Sequence, residues 1–206
     1  TSADADNNTI TFNALSEGLH SNCKISVTAT ASGQISDNLS VDNFTIDITA
    51  PSLSQVTAVP TPANDSTPSY TFNSSEAGTI TYGGNCSSST TAATADNNTI
   101  TFNALGEANH ANCTITVRDN AGNTSNVLSV NSFFIDTTAP TLSQVTAVST
   151  PDNDSTPSYT FSSSEAGTIT FGGSCSSSDN SSINGNNTIT FNALSDETYS
   201  DCTIIV

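Results

Sequence analysis

Any chemistry in this chain has to come from five cysteines, two histidines and nineteen carboxylates, accompanied by only two basic residues, Lys24 and Arg118. Cys86 and Cys113 lie 27 residues apart, and Cys175 and Cys202 repeat that spacing. No CxxC pair and no nearby histidine points to a metal, so each pair is expected to form a disulfide. Closing a loop of that length contributes roughly 3.5 kcal/mol in the chain-entropy model. The fifth cysteine, Cys23, corresponds in the repeat to Cys113, and its partner is expected upstream of residue 1. Persisting disulfides imply a secreted or surface-exposed protein.

The histidines offer less. His20 in EGLH and His110 in EANH occupy the same repeat position, where a third copy has Tyr199. A catalytic imidazole cannot be exchanged for a phenol in a sister copy without losing the activity, so this reads as a turn residue packing beside a sheet. No Ser-His-Asp arrangement, phosphate-cradling glycine loop or HExxH is present, and nothing in the chain argues for an enzyme. The carboxylates gather instead in turns: Glu76 in SSEAG, Glu165 in its copy, Asp65 in NDSTP, Asp119 with Asn123 in DNAGN, and Asp47 and Asp136 in the recurring IDITAP and IDTTAP. Hard oxygens on flexible turns are what calcium takes, although Asp and Asn are also ordinary turn formers.

These residues are positioned by repetition. NNTITFNAL stands at 7–15, 97–105 and 186–194, and the segment 54–89 recurs with few changes at 143–178. A period of about 90 residues is a domain rather than a motif. Cutting at IDITAP and IDTTAP gives a complete repeat at 49–137, the C-terminal part of a preceding repeat at 1–48 and the N-terminal part of a following one at 138–206. Both ends of the chain are thus expected to fall inside a repeat of something longer.

Inside the repeat the pattern is all strand and turn. In ITFNAL, Ile10, Phe12 and Ala14 share one face and Thr11 and Asn13 the other, the alternation of a half-buried strand. Strands are predicted near 53–59, 69–74, 78–83, 98–104, 113–118 and 127–135, with room for a short one at 87–95, separated by TPANDSTP, SSEAG, GG, GEANHAN and DNAGN. About seven short strands in one repeat, without helical periodicity, predict an all-β immunoglobulin-like β-sandwich, and the chain as a tandem series of them.

Charge excludes some partners. The formal net charge is -17, so phosphate neutralisation by Lys and Arg is out of reach and neither nucleic acid nor an anionic membrane surface is a plausible partner. No run of about 18 apolar residues is present, so no membrane insertion is expected within this segment. Twelve Asn-x-Ser/Thr sequons, Asn97, Asn112 and Asn186 among them, arise mostly by chance in a chain this rich in those residues and assign no glycan.

Taken in order, IDTTAPT, NDSTPSYTF, SSEAGTITF, NTITFNAL and CTITVRDNAGNTSN resemble the bacterial Ig-like repeat of large surface proteins and adhesins. The resemblance covers essentially the whole chain. It implies a tandem rod of sandwiches projecting from a cell, with neighbouring copies of the same repeat or subunit as partners and calcium stiffening the joints. The chain departs from the antibody pattern in its cysteine positions and its lack of tryptophan, so antibody-type recognition is not implied. In the sandwich topology Asp47, Glu76, Asp119 and Asn123 are expected at one joint, and Asp136, Asp65 and Glu165 at the next. The first copy has TATASGQ in place of RDNAGNT and lacks the acidic loop residue. No cofactor other than calcium is suggested. The expected function is mechanical, as the stalk or shaft of a surface adhesin or filament. Two alternatives stay open: a module gripping an unknown glycan or protein ligand, with 87–96 and 176–185 as its variable surface, and a filament subunit assembled by strand donation.

Overall fold

The computed structural model describes residues 2–206, and among them there is no helix. Two compact units are distinguished, Thr1–Thr137 and Thr138–Val206. The first unit contains the complete repeat. There Leu53–Thr57, Ser69–Ser74 and Asp96–Thr101 form one antiparallel sheet, with Ser69–Ser74 central. A second antiparallel sheet runs in the order Leu128–Ser129, Thr114–Arg118, Gly78–Gly83 and Ala92–Ala93.

Alternation explains the core. Tyr70 and Phe72 from one sheet and Ile80, Ile115 and Val117 from the other are all buried in one cluster, while Thr79, Thr81 and Arg118 face outward. Threonine and asparagine on the outer faces pair across strands, as in the Thr71–Thr99 hydroxyl contact of 2.9 Å. The arrangement is consistent with a β-sandwich.

Three strand expectations need correction. The segment 127–135 is not one strand: Leu128–Ser129 pairs with Thr114–Arg118, and after a break Phe133–Phe134 pairs with Asn109–His110. The NNTITFNAL strand ends at Thr101, and Ala104 is exposed, whereas Leu105 turns inward as its N–H donates to the Ser66 carbonyl at 2.8 Å. The first copy of NNTITFNAL forms no strand, and Ile10 and Phe12 are 45% and 43% exposed. In the other copies it pairs with Ser69–Ser74 or Ser158–Ser163, and residues 1–48 include no counterpart of those strands.

The second unit repeats the first sheet as Leu142–Thr146, Ser158–Ser163 and Gly185–Thr190. Thr170–Gly172 pairs with Thr203–Ile205, and Gly167–Thr168 with Ser181–Ser182. Its core is smaller, built on Phe161, Ile169, Cys175, Ile189 and Phe191.

The GG turn is a tight fit. Gly84 has φ +72°, and an added Cβ would overlap the Asn112 carbonyl oxygen. Gly84→Ala is expected to cost at least about 1–2 kcal/mol from the left-handed backbone alone. Gly106→Ala, in open space, should stay within about 0.5 kcal/mol of the parent. Equal denaturation midpoints for the two variants would remove this account of the turn.

Candidate acidic joint and disulfide sites

Each group at the acidic joint is held by a local device. Asp119 follows Thr114–Arg118 in a turn that its own carboxylate organises: it accepts the backbone N–H groups of Gly122 at 2.6 Å and Asn123 at 2.8 Å, and the Asn123 amide at 2.9 Å. Glu76 sits in the turn after Ser69–Ser74, where the buried Ser74 hydroxyl donates to its carbonyl at 2.6 Å. Asp47 follows Phe44–Ile46, and Asn123 donates its amide to the Asp47 carbonyl at 3.2 Å.

The four residues expected at the first joint therefore converge. One ligand oxygen from each of Asp47, Glu76 and Asp119 lies within 4.8 Å of the other two. Calcium–oxygen distances of about 2.3–2.6 Å put two ligands of one ion at most about 5 Å apart, so the trio fits a single ion by size. Three carboxylates fall short of the usual 6–8 oxygens, and water would have to supply the rest.

Electrostatics separates the members. Burial raises the Glu76 carboxyl above the usual carboxylate range, and the nearby negative charges of Asp47, Asp119 and Glu17 push it the same way. Burial also acts to raise Asp119, but hydrogen bonds from the Asn123 side chain and backbone and from the Gly122 backbone outweigh it and leave the group low. Ionised Glu76 thus works against the fold and Asp119 works for it.

Glu17 was missed by sequence reasoning. Its carboxylate accepts the Thr49 hydroxyl at 2.7 Å, and Thr49 N–H donates to Asp47 at 3.2 Å. The signal in the sequence was the recurrence of Glu at 107 in the next copy, where it accepts the hydroxyl of Thr137, at the repeat position of Ile48 rather than of Thr49, at 2.6 Å. Asp65 is occupied locally: backbone and hydroxyl hydrogen bonds from Thr67, both 2.8 Å, lower its carboxyl. Asp136 lies near that turn through its N–H bond to the Ala63 carbonyl at 2.9 Å. Glu165 belongs to the second unit, where Ser163 holds it as Ser74 holds Glu76. Among the described residues the group of three carboxylates is the one at 47, 76 and 119.

The cysteines lie where the spacing put them. Cys86 and Cys113 are bonded, as are Cys175 and Cys202, each with Cα atoms 5.2 Å apart, while Cys23 is free and half-buried. Such bonds fit an oxidising environment outside the cytoplasm. No helix among the described residues is long and apolar enough to cross a membrane.

His110 is buried, stacks on Phe133 with ring centroids 5.3 Å apart and reaches the Gly106 carbonyl through Nε2 at 3.0 Å. His20 repeats both contacts with Phe44 and Ser16, and Tyr199 turns its hydroxyl to Ser195. In the variable stretch Ile183 is 64% exposed at the repeat position of exposed Thr94. Comparison of the chain with protein-family models, with curated proteins and with solved structures gave no match to any of them.

Proposed function

We propose that this chain is a non-catalytic stretch of an extracellular shaft, made of tandem immunoglobulin-like β-sandwich repeats and serving as the stalk of a surface adhesin or filament. The observation that supports this reading best is the acidic joint itself. Asp47 belongs to the segment 1–48, whereas Glu76, Asp119 and Asn123 belong to the complete repeat, so one small site ties successive copies of a repeat. In a linear array, length follows from copy number and stiffness from such joints. A cation held at the carboxylate trio would supply that stiffness by neutralising charges that otherwise repel. Antibody raised against the chain should label intact source cells; labelling only after permeabilisation would rule out the extracellular shaft.

The trio has its own test. Glu76, with its carboxyl raised, contributes stability that is full below its unfolded pKa and lost as pH rises through the folded value. In chelator at neutral pH, Glu76→Gln is therefore expected to melt slightly above the parent, and the gain should fade below about pH 4, the ordinary Glu range. Calcium should raise the melting temperature of the parent and stiffen it in scattering profiles, with a smaller effect on Glu76→Gln. Profiles and melting temperatures indifferent to calcium would eliminate the cation from the joint. Asp119, held low, contributes stability above its unfolded pKa that is lost as pH falls through the folded value. Asp119→Asn should therefore be less stable than the parent at neutral pH and converge on it in acid.

A further inference from the structure

We propose that the outer edge of the strand Asp96–Thr101 is a pairing site for the same edge of a second copy of this chain, so that two copies associate through their complete repeats. This goes beyond the shaft reading and does not rest on it, since a self-complementary edge pairs in a chain of any role.

The ladder defines the edge. Asp96–Thr101 is the last strand of its sheet and pairs with Ser69–Ser74 alone. Phe102 N–H donates to the Pro68 carbonyl at 3.0 Å on the Ser69–Ser74 side, and successive residues of an antiparallel strand turn their backbone groups to opposite sides. The N–H and C=O groups of Asn97, Thr99 and Thr101 therefore point away from the sheet. One end of this row is covered, because the Ser88 hydroxyl donates to the Thr101 carbonyl at 2.6 Å and Asn103 N–H donates to the Ser87 carbonyl at 2.8 Å. The open part runs from Asn97 to the Thr101 N–H.

The sister strand Gly185–Thr190 shows what guards such an edge. There Ser177 caps the Thr190 carbonyl at 2.6 Å as Ser88 caps Thr101, but the Asp179 carboxylate also accepts the Thr190 N–H at 3.0 Å. Thr90 stands at the repeat position of Asp179 and brings no charge to the edge. A charged side chain on an edge strand works against pairing with another chain, and the complete repeat lacks it. This exchange lies in 87–96 against 176–185, where the copies differ most clearly.

The strand itself selects a second copy as the occupant. Residues 97–102 read NNTITF, with no charge, proline or glycine and with β-branched residues at the centre, the composition of a segment that pairs with copies of itself. In a two-fold antiparallel register Asn97 of one copy lies opposite Thr99 of the other, and each such pair exchanges both backbone hydrogen bonds. The polar row Thr71–Thr99, closed at 2.9 Å, then runs into the row Asn97–Asn73 of the second copy, closed at 3.2 Å. The contact maps onto itself, so it is isologous and closes at the dimer. A ladder this short is weak, with a dissociation constant of about 0.1–1 mM. The net charge of -17 opposes it, so added salt should strengthen it.

The test uses the full chain with Cys23→Ser, Asn97→Cys and Thr99→Cys, because hydrogen-bonded partners across an antiparallel pair lie about 5.5 Å apart, within disulfide reach. Mild oxidation should give a covalent dimer on a non-reducing gel, absent when either new cysteine is omitted. Adding Thr90→Asp should weaken association at least about ten-fold, both in cross-linking and in sedimentation of the otherwise unaltered chain. That variant should fold, since Thr90 N–H donates to Ser88 at 3.2 Å just as Asp179 N–H donates to Ser177 at 3.1 Å, and melting of the complete repeat should not fall. Asp179→Thr should open the second edge and let dimers grow into larger species. A parent chain that stays monomeric well into the millimolar range in high salt, association indifferent to Thr90→Asp, or Asp179→Thr chains that stop at the dimer would each overturn the proposal.

Discussion

Phe133→Ala is expected to destabilise the complete repeat by about 3–5 kcal/mol, enough to consume much of the stability of a domain this size. Phe133 is 1% exposed and lies with Phe102 on one side and His110 on the other. Truncation removes the transfer energy of a full phenyl ring and leaves a space that two strand segments hold open, because its neighbours His110 and Ile135 are fixed by backbone bonds. Phe44→Ala provides the internal control. The residue has the same repeat position, the same pairing with a histidine and the same stacking contact at 5.3 Å, but it is only half-buried. Its loss should cost about 1 kcal/mol or less, since little surface returns to water and no cavity forms. Urea unfolding of both variants measures the difference. Equal costs would mean that burial under the second sheet does not set the worth of this ring.

The strands of the complete repeat were legible because one face is buried and the other wet. Tyr70, Phe72 and Ser74 against Ser69, Thr71 and Asn73 is an alternation that only a sheet with one dry face imposes. The ends were harder to read. Ala104 continues the alternation of Ile100 and Phe102 in sequence, but the backbone leaves the sheet at Thr101 to bond with Ser87 and Ser66, and no local signal reports those distant partners. The break in 127–135 has the same cause: the two halves pair with strands from different parts of the chain. The first NNTITFNAL is the sharpest case, since identical residues form a strand in two copies and none in the third. What differs is the partner strand, a tertiary term that periodicity does not contain.

The acidic joint was legible for a different reason. Carboxylates in turns are placed by topology alone, and once two sheets are assumed, the ends of their strands follow. Asp47, Glu76, Asp119 and Asn123 were brought together on that basis. Glu17 was not, because it immediately precedes the short strand Gly18–His20, which pairs with Phe44–Ile46 and lies where the sequence read as a turn. Asp96 shows the limit from the other side. It adopts φ 78°, where the sister copy uses Gly185 at φ 102°, and only the comparison of copies reveals that the position favours a left-handed backbone.

Replacing both Cys86 and Cys113 by alanine is expected to cost the complete repeat about 3.5 kcal/mol, and the same change at Cys175 and Cys202 should lower the other unit instead. The stabilisation comes from the unfolded state: a bond across 27 residues removes extended conformations that the reduced chain would sample. It therefore adds to the core energy without requiring a larger core, which suits a chain with only 34% hydrophobic residues. Two melting transitions should be resolved by calorimetry, the higher belonging to the complete repeat with its larger core, and each pair of substitutions should move only its own transition. Reduction should follow the same order of protection. Cys86 and Cys113 are 4% and 1% exposed, whereas Cys202 is half-buried, so a mild thiol should open the second bond first. Alkylation and mass spectrometry after brief reduction would read that order directly. Simultaneous opening, or a single transition that both substitutions lower equally, would mean that the two bonds sit in one cooperative body, and the independence of the two units would have to be abandoned.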